Sequence, residues 1–253
     1  MLKSRLIPSL LLLNGRCVKT IGFDALRDVG NPVTAARVYD AQEADELIFL
    51  DISATTENRT TLYHIVERTA DACLMPLTVG GGVRTLEDIR DLLRSGADKV
   101  AINTEAVRRP EVIRDGAERF GAQCIVASID CRRLADGRYE VFVQRGQRPT
   151  GLDPVVWAER VAELGAGEIF LNSIDRDGTM QGYDLALIRA VADAVPIPVI
   201  AAGGAGSLRD LVDAITLGRA SAVSAASLFH FTDQSVIKAR AYMRQAGVDV
   251  RIA

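Results

Sequence analysis

The chain has 253 residues, nearly half of them apolar, enough for one large α/β domain or two small ones. Its net charge of −3 carries no basic footprint for nucleic acid. The four cysteines, Cys17, Cys73, Cys124 and Cys131, have no CxxC spacing. They read as free thiols of a reducing cytosol, not as a disulfide frame or a zinc site. The two histidines, His64 and His230, stand far apart in sequence, which argues against a histidine metal centre, and no cofactor is expected.

Lys3 and Arg5 followed by LIPSLLLL have the outline of a signal peptide. The apolar run is short, holds Pro8, and leads into Asn14-Gly15-Arg16 with no small-residue cleavage site, so a buried strand is the better reading. No apolar stretch reaches membrane-spanning length.

Along the chain, eight apolar, β-branched runs alternate with helical patterns. Strands are expected near Arg5–Leu13, Glu46–Ile52, Pro76–Val79, Lys99–Asn103, Gln123–Asp130, Glu168–Asn172, Pro198–Ala202 and Ala220–Ala225. Their continuous apolarity suits parallel strands covered on both faces. Helices fit near Pro32–Ala44, Thr60–Ala72, Thr85–Ser95, Pro110–Phe120, Pro154–Leu164, Ala186–Ala194, Leu208–Leu217 and Ser235–Ala246. Gly96, Gly165, Gly218 and Gly247 stand where C-caps want them. Strand–helix eight times over predicts a (β/α)8 barrel, with a doubly wound sheet as the alternative.

A duplication favours closure of the barrel. Val79-Gly-Gly-Gly-Val-Arg-Thr-Leu-Glu-Asp returns as Ala201-Ala-Gly-Gly-Ala-Gly-Ser-Leu-Arg-Asp, and Phe49-Leu-Asp-Ile returns as Phe170-Leu-Asn-Ser. The offset is roughly 120 residues, so the single domain 1–253 divides into half-barrels of about 1–120 and 121–253. Each glycine turn lets backbone approach a ligand closely, and each following helix is expected to aim unpaired N–H groups at an anion. The symmetry places two anion sites on opposite sides of the barrel mouth, suited to a substrate with a phosphate at each end. The longer loops Asn14 to Asn31 and Cys131 to Gly151 follow strands, on the face where barrel sites are built, and are lid candidates. The second should hold a hairpin turning at Asp136-Gly137.

Candidate chemistry comes from strand-end carboxylates: Asp51, Asp130, Asp175 and Asp177. Asp130 closes the apolar run CIVASID, where a carboxylate is costly without a purpose; Asp175 and Asp177 equally suit turns. On the opposite face Arg5, Glu46, Lys99 and Glu168 each begin an apolar strand. Two positive and two negative groups there form either a closed ring across the floor or an ordinary surface cluster.

The stretches NGRCVK, DELIFLDI, VGGGVRTLED, ADKVAINTEAV, GAGEIFLNSIDRDGT, GGAG and SLFHF resemble, over essentially the whole chain, the cyclase subunit of imidazole glycerol phosphate synthase, the HisF family. The resemblance implies a barrel that takes ammonia from a glutaminase partner docked on its floor. It cleaves and cyclises a bisphosphorylated ribulosyl aminoimidazole carboxamide to imidazole glycerol phosphate and an aminoimidazole carboxamide ribotide, as a cytoplasmic heterodimer. Carried over, Gly82, Asn103 and Thr104 correspond to one phosphate site, and Gly178, Gly204 and Ser227 to the other. Lys19, Asp51, Asn172 and Asp177 line the pocket. Arg5, Glu46, Lys99 and Glu168 correspond to an ammonia gate, Asp98 and Gln123 to the glutaminase interface, and Asp130 to one of two catalytic carboxylates.

The partner carboxylate is absent. Leu11 stands where the family carries an aspartate, and Leu11 is also the internal-repeat counterpart of Asp130. Asn172, Arg145 and Ala202 stand where the family usually has Thr, Ser and Ser. One reading is a working cyclase for histidine biosynthesis with Asp130 carrying the proton transfers. Another resembles a HisF paralogue of surface-polysaccharide gene clusters, in which the barrel relays ammonia to a separate sugar amidotransferase. A third, a related barrel that isomerises the pathway's aminoaldose, also needs two strand-end aspartates, so Leu11 counts against it.

Overall fold

The computed structural model describes residues 3–54, 57 and 61–251. The first half runs β1 (Arg5–Leu13), β2 (Arg16–Ile21), β3 (Asp24–Gly30), α1 (Pro32–Ala41), β4 (Leu47–Asp51), α2 (Tyr63–Ala70), β5 (Leu77–Gly80), α3 (Leu86–Arg94), β6 (Lys99–Ile102), α4 (Thr104–Arg108) and α5 (Glu111–Phe120). The second runs β7 (Ile125–Arg133), β8 (Tyr139–Val143), β9 (Arg148–Pro149), α6 (Pro154–Glu163), β10 (Glu168–Ser173), α7 (Leu185–Ala194), β11 (Val199–Ala202), α8 (Leu208–Thr216), β12 (Ala222–Ala225), α9 (Ser227–Phe231) and α10 (Val236–Gln245). The helix expected from Thr60 begins outside the described residues.

Eight strands, β1, β4, β5, β6, β7, β10, β11 and β12, pair in parallel and close through β12 on β1, with Arg5 opposite Ala222. The eight are the ones the apolar runs predict, and the closed ring settles the choice against a doubly wound sheet. Alternate residues of each strand divide two cores. Ile7, Ile48, Val126, Phe170, Ile200 and Ala222 fill the barrel interior. Their neighbours, among them Leu6, Phe49, Val100, Ile129 and Leu171, pack outward under the helices.

The two halves repeat in their caps as well. At α3, Thr85 Oγ1 accepts from the Asp88 N–H at 3.1 Å, while the Asp88 carboxylate accepts from the Arg84 and Thr85 N–H groups, both at 2.9 Å. At α8, Ser207 and Asp210 make the same box, with Asp210 accepting from Gly206 at 2.9 Å and Ser207 at 2.8 Å. These carboxylates occupy the N–H groups of the residues that lead from each glycine turn into its helix. The donors just before each helix and at its third position are therefore taken by the helix's own cap.

Three other expectations change. The segment Asn14 to Asn31 is two antiparallel turns of strand, β1 to β2 through Asn14-Gly15 (φ 49 and 80) and β2 to β3 through Gly22-Phe23 (φ 56 and 69). Asn-Gly between apolar runs is itself a hairpin signal. At the end of α8 the left-handed residue is Arg219 (φ 61) and not Gly218, whose glycine is needed because a Cβ would crowd the Ala214 carbonyl. Finally, α4 and α9 are single turns too short for periodicity to reveal.

If the duplicated boxes do equal work, Thr85→Ala and Ser207→Ala should each cost about 1 kcal/mol and the pair about 2. Urea unfolding of the three variants measures this; a strongly unequal pair would show that the two half-barrels no longer share one capping role.

Candidate functional site

A cavity of about 830 Å³ opens at the C-terminal ends of the barrel strands. Leu11, Lys19, Asp51, Gly82, Asn103, Thr104, Asp130, Asn172, Asp177, Gly178, Gly204 and Ser227 all line it. Two glycine corners face each other across it, Gly81-Gly82 after β5 (φ 106 and 71) and Gly203-Gly204 after β11 (φ 83 and 113). Only glycine suits these backbones: a Cβ at Gly81 would strike the Asp51 carbonyl, and one at Gly204 the Gly182 carbonyl. Beside each corner on the cavity wall begins a one-turn helix, α4 at Thr104 and α9 at Ser227.

Asp130 lies between the corners near the end of β7. The Asn103 amide donates to its Oδ2 at 3.1 Å, and also to the Ser128 carbonyl at 3.0 Å; the Asn172 amide approaches Oδ1 at 3.4 Å. Burial pushes the Asp130 carboxyl up to about 7, and the Asp177 charge pushes the same way, while the two asparagine amides hold it down. Such a group exists in both protonation states near neutral pH, the condition a general acid–base needs. Leu11, on the strand diametrically opposite, lines the same cavity with no proton to give.

Other carboxylates are committed to structure. Lys19, buried, places Nζ 2.9 and 3.1 Å from the Asp177 oxygens, and Thr20 Oγ1 donates to Asp177 at 2.9 Å. The Gly22 N–H donates to the Asp177 carbonyl at 2.8 Å, so Asp177 fastens the β2–β3 hairpin over the cavity. Asp51 accepts from the N–H groups of Ser53 at 3.2 Å and Ala54 at 3.1 Å, a turn-forming role. Asp175 lies off the cavity wall and receives the Arg133 N–H at 2.8 Å. Sequence reasoning gave no role to Phe23 or Gln144, the loop residues that bring both long connections onto the cavity wall.

At the other end of the barrel the four charged residues do close a ring. Arg5 meets Glu46 and Glu168, each at 2.9 Å, and Lys99 meets Glu46 at 2.8 Å and Glu168 at 3.1 Å. Glu46 is only 2% exposed and also accepts from the Thr78 hydroxyl. Above the ring sits an apolar layer, and the cavity reaches down to its Ala101 and Phe170. Asp98 and Gln123 lie exposed on this floor face, Asp98 accepting from the Leu77 N–H at 2.8 Å.

A closed ring of eight parallel strands, with two facing glycine corners and Asp130 between them at the C-terminal mouth, defines a (β/α)8 barrel of the enzyme type. Among known proteins, the histidine biosynthesis protein family matches residues 5–235. The chain belongs to that family of barrel enzymes. Among the described residues no helix is long and apolar enough to cross a membrane, and no three His, Cys, Asp or Glu side chains gather as a metal site.

The raised Asp130 carboxyl has a consequence for stability. Folded near 7 and unfolded near 3.8, it binds more protons in the native state across that interval, so its contribution to stability falls as pH rises from about 4 to 7. Asp130→Asn should remove that part of the slope in a pH series of denaturation curves. Asn103→Ala, which deletes a donor to the carboxylate, should move the carboxyl titration further upward by infrared or NMR; a downward shift would contradict the assigned cause.

Proposed function

We propose that this chain is the ammonia-using barrel subunit of a glutamine amidotransferase complex of the imidazole glycerol phosphate synthase type. A glutaminase subunit docks on the floor at Asp98 and Gln123 to form a cytoplasmic heterodimer. The bisphosphorylated ribulosyl aminoimidazole carboxamide spans the mouth, one phosphate at Gly82, Asn103 and Thr104, the other at Gly178, Gly204 and Ser227. Ammonia enters through the floor, and Asp130 moves the protons of cleavage and cyclisation.

The observation that carries this reading is the closed Arg5–Glu46–Lys99–Glu168 ring beneath an apolar waist. A barrel that only isomerised a sugar phosphate would have no use for a closed ring of four charges, one of them buried, at the end away from its substrate. Charge pairs so placed do little for stability, because desolvation offsets the attraction. As a gate they discriminate: neutral ammonia crosses an apolar layer that an ammonium ion, costly to desolvate, cannot. The pairs must part for passage, and Lys99, the shorter and more flexible of the two cations, is the mobile member.

Leu11 favours a second reading at the same site. A missing general acid or base costs about 10²–10⁴-fold in rate, so a barrel with Leu11 serves equally as a relay, handing ammonia to a separate amidotransferase that acts on a nucleotide-linked sugar. Both readings share the floor gate and differ in the acceptor.

Purified barrel, given ammonium salt at high pH and the bisphosphorylated ribotide, separates them. For a cyclase, the unmodified protein consumes the ribotide and Leu11→Asp does so about 10²–10⁴-fold faster. No turnover by the unmodified protein beside an active Leu11→Asp variant assigns the relay role. Inactivity of both removes the cyclase chemistry from this site.

A further inference from the structure

The cavity wall carries two arginines that none of the interactions above uses, the exposed Arg148 and the more enclosed Arg145. Arg145 lies on it, half-buried, and among the described residues it makes no hydrogen bond and no ion pair. The acids around the cavity are otherwise engaged. Asp177 holds Lys19, Glu105 has Arg109 at 3.5 Å and Arg108 at 3.9 Å, and Asp130 receives the Asn103 and Asn172 amides. A guanidinium at the cavity wall with no carboxylate beside it is open to an anion, and its planar fork matches a phosphate.

The position of Arg145 is built, not incidental. Gln144, Arg145 and Gly146 are three consecutive left-handed residues, with φ of 52, 59 and 69. Such a run is costly for the two that carry side chains. It is held from both sides: the Gln144 N–H donates to Thr104 Oγ1 at 3.2 Å, and a Cβ at Gly146 would stand 3.0 Å from the Phe23 ring and 3.1 Å from Ile174. The turn thus ties Arg145 to the corner at Thr104. At the opposite corner the cation on the wall, Lys19, is already held by Asp177 beside Gly178. Arg176, whose Cβ lies beside Gly204, gives its guanidinium to the Gln181 carbonyl at 3.4 Å.

The geometry points to Arg145 as the phosphate-binding side chain of the Gly82–Thr104 corner, making the two corners unequal so that a two-ended anion is taken in one direction. This assignment rests on the proposed two-anion site and adds to it a residue that fixes substrate orientation.

Calorimetric titration of the whole chain with a hexanediol bisphosphate, and with inorganic phosphate as the one-ended control, tests it. Arg145→Asn removes the charge while keeping a residue that tolerates the left-handed turn; it should weaken bisphosphate binding on the order of 10- to 100-fold. Arg145→Lys should recover part of the loss, since it restores charge without the fork. Combined with Thr104→Val the loss should be non-additive, and combined with Ser227→Ala additive, while the thermal melts of all variants stay additive. Unchanged affinity in Arg145→Asn, or coupling to Ser227 instead of Thr104, overturns the assignment of Arg145 alone. If the unmodified chain binds the bisphosphate no tighter than inorganic phosphate, the two-anion site itself fails and this inference with it.

Discussion

Everything in this molecule depends on alternate residues of eight parallel strands pointing down one axis. A strand's side chains repeat every second residue, so each barrel strand is a short vertical section through the same layers. On β1 the section reads Arg5, Ile7, Ser9, Leu11; on β6 and just beyond it, Lys99, Ala101, Asn103; on β10, Glu168, Phe170, Asn172. Charge at the floor, hydrocarbon at the waist and hydrogen-bonding groups at the mouth follow from one period of two. Changing the register of a strand by a single residue would turn its charged foot out of the ring and its mouth residue out of the cavity.

That constraint explains why so much was legible in the sequence. Continuous apolar runs identified every barrel strand, and β1 begins and ends as its composition demands. Glycine corners could be read because no other residue fits the backbone approaches at Gly81 and Gly204. What stayed hidden was decided by competition between partners. Asp88 and Asp210 look like ordinary first-turn acids, and only the fold shows that they take the N–H groups nearest the glycine turns. Asn14-Gly15 signals the β1–β2 hairpin, whereas the β2–β3 turn at Gly22-Phe23 carries no such dipeptide. Asp130 and Asn172 were each legible, but that they sit in register on neighbouring strands, with Asn103 bonded from a third, is a property of closure.

Leu11 is informative for the same reason. On the strand opposite β7 it occupies the layer in which Asp130 stands, so an aspartate there would share the cavity with a carboxyl already held up by burial and by Asp177. Two such acids raise each other's proton affinity. With leucine the mouth gains apolar wall, and Asp130 faces no carboxyl from the strand opposite. The fold tolerates either choice, because the position faces the cavity and not the packed shell between strands and helices.

The two long connections bring the mouth under a common control. The β2–β3 hairpin is fastened through Lys19, Thr20 and Gly22 to Asp177, and its tip residue Phe23 packs against Gly146 of the turn that carries Gln144 and Arg145. Gln144 in turn binds Thr104, at the head of the one-turn helix that forms a glycine corner's wall. Hairpin, turn and corner are therefore one contiguous set of contacts. Any ligand that draws Thr104 or Arg145 toward itself pulls on the same turn that seats the hairpin tip, and the hairpin's other anchor, Asp177, raises the proton affinity of Asp130. From Thr104 at the rim to Asp177 beside Asp130 the contacts run unbroken through the turn and the hairpin.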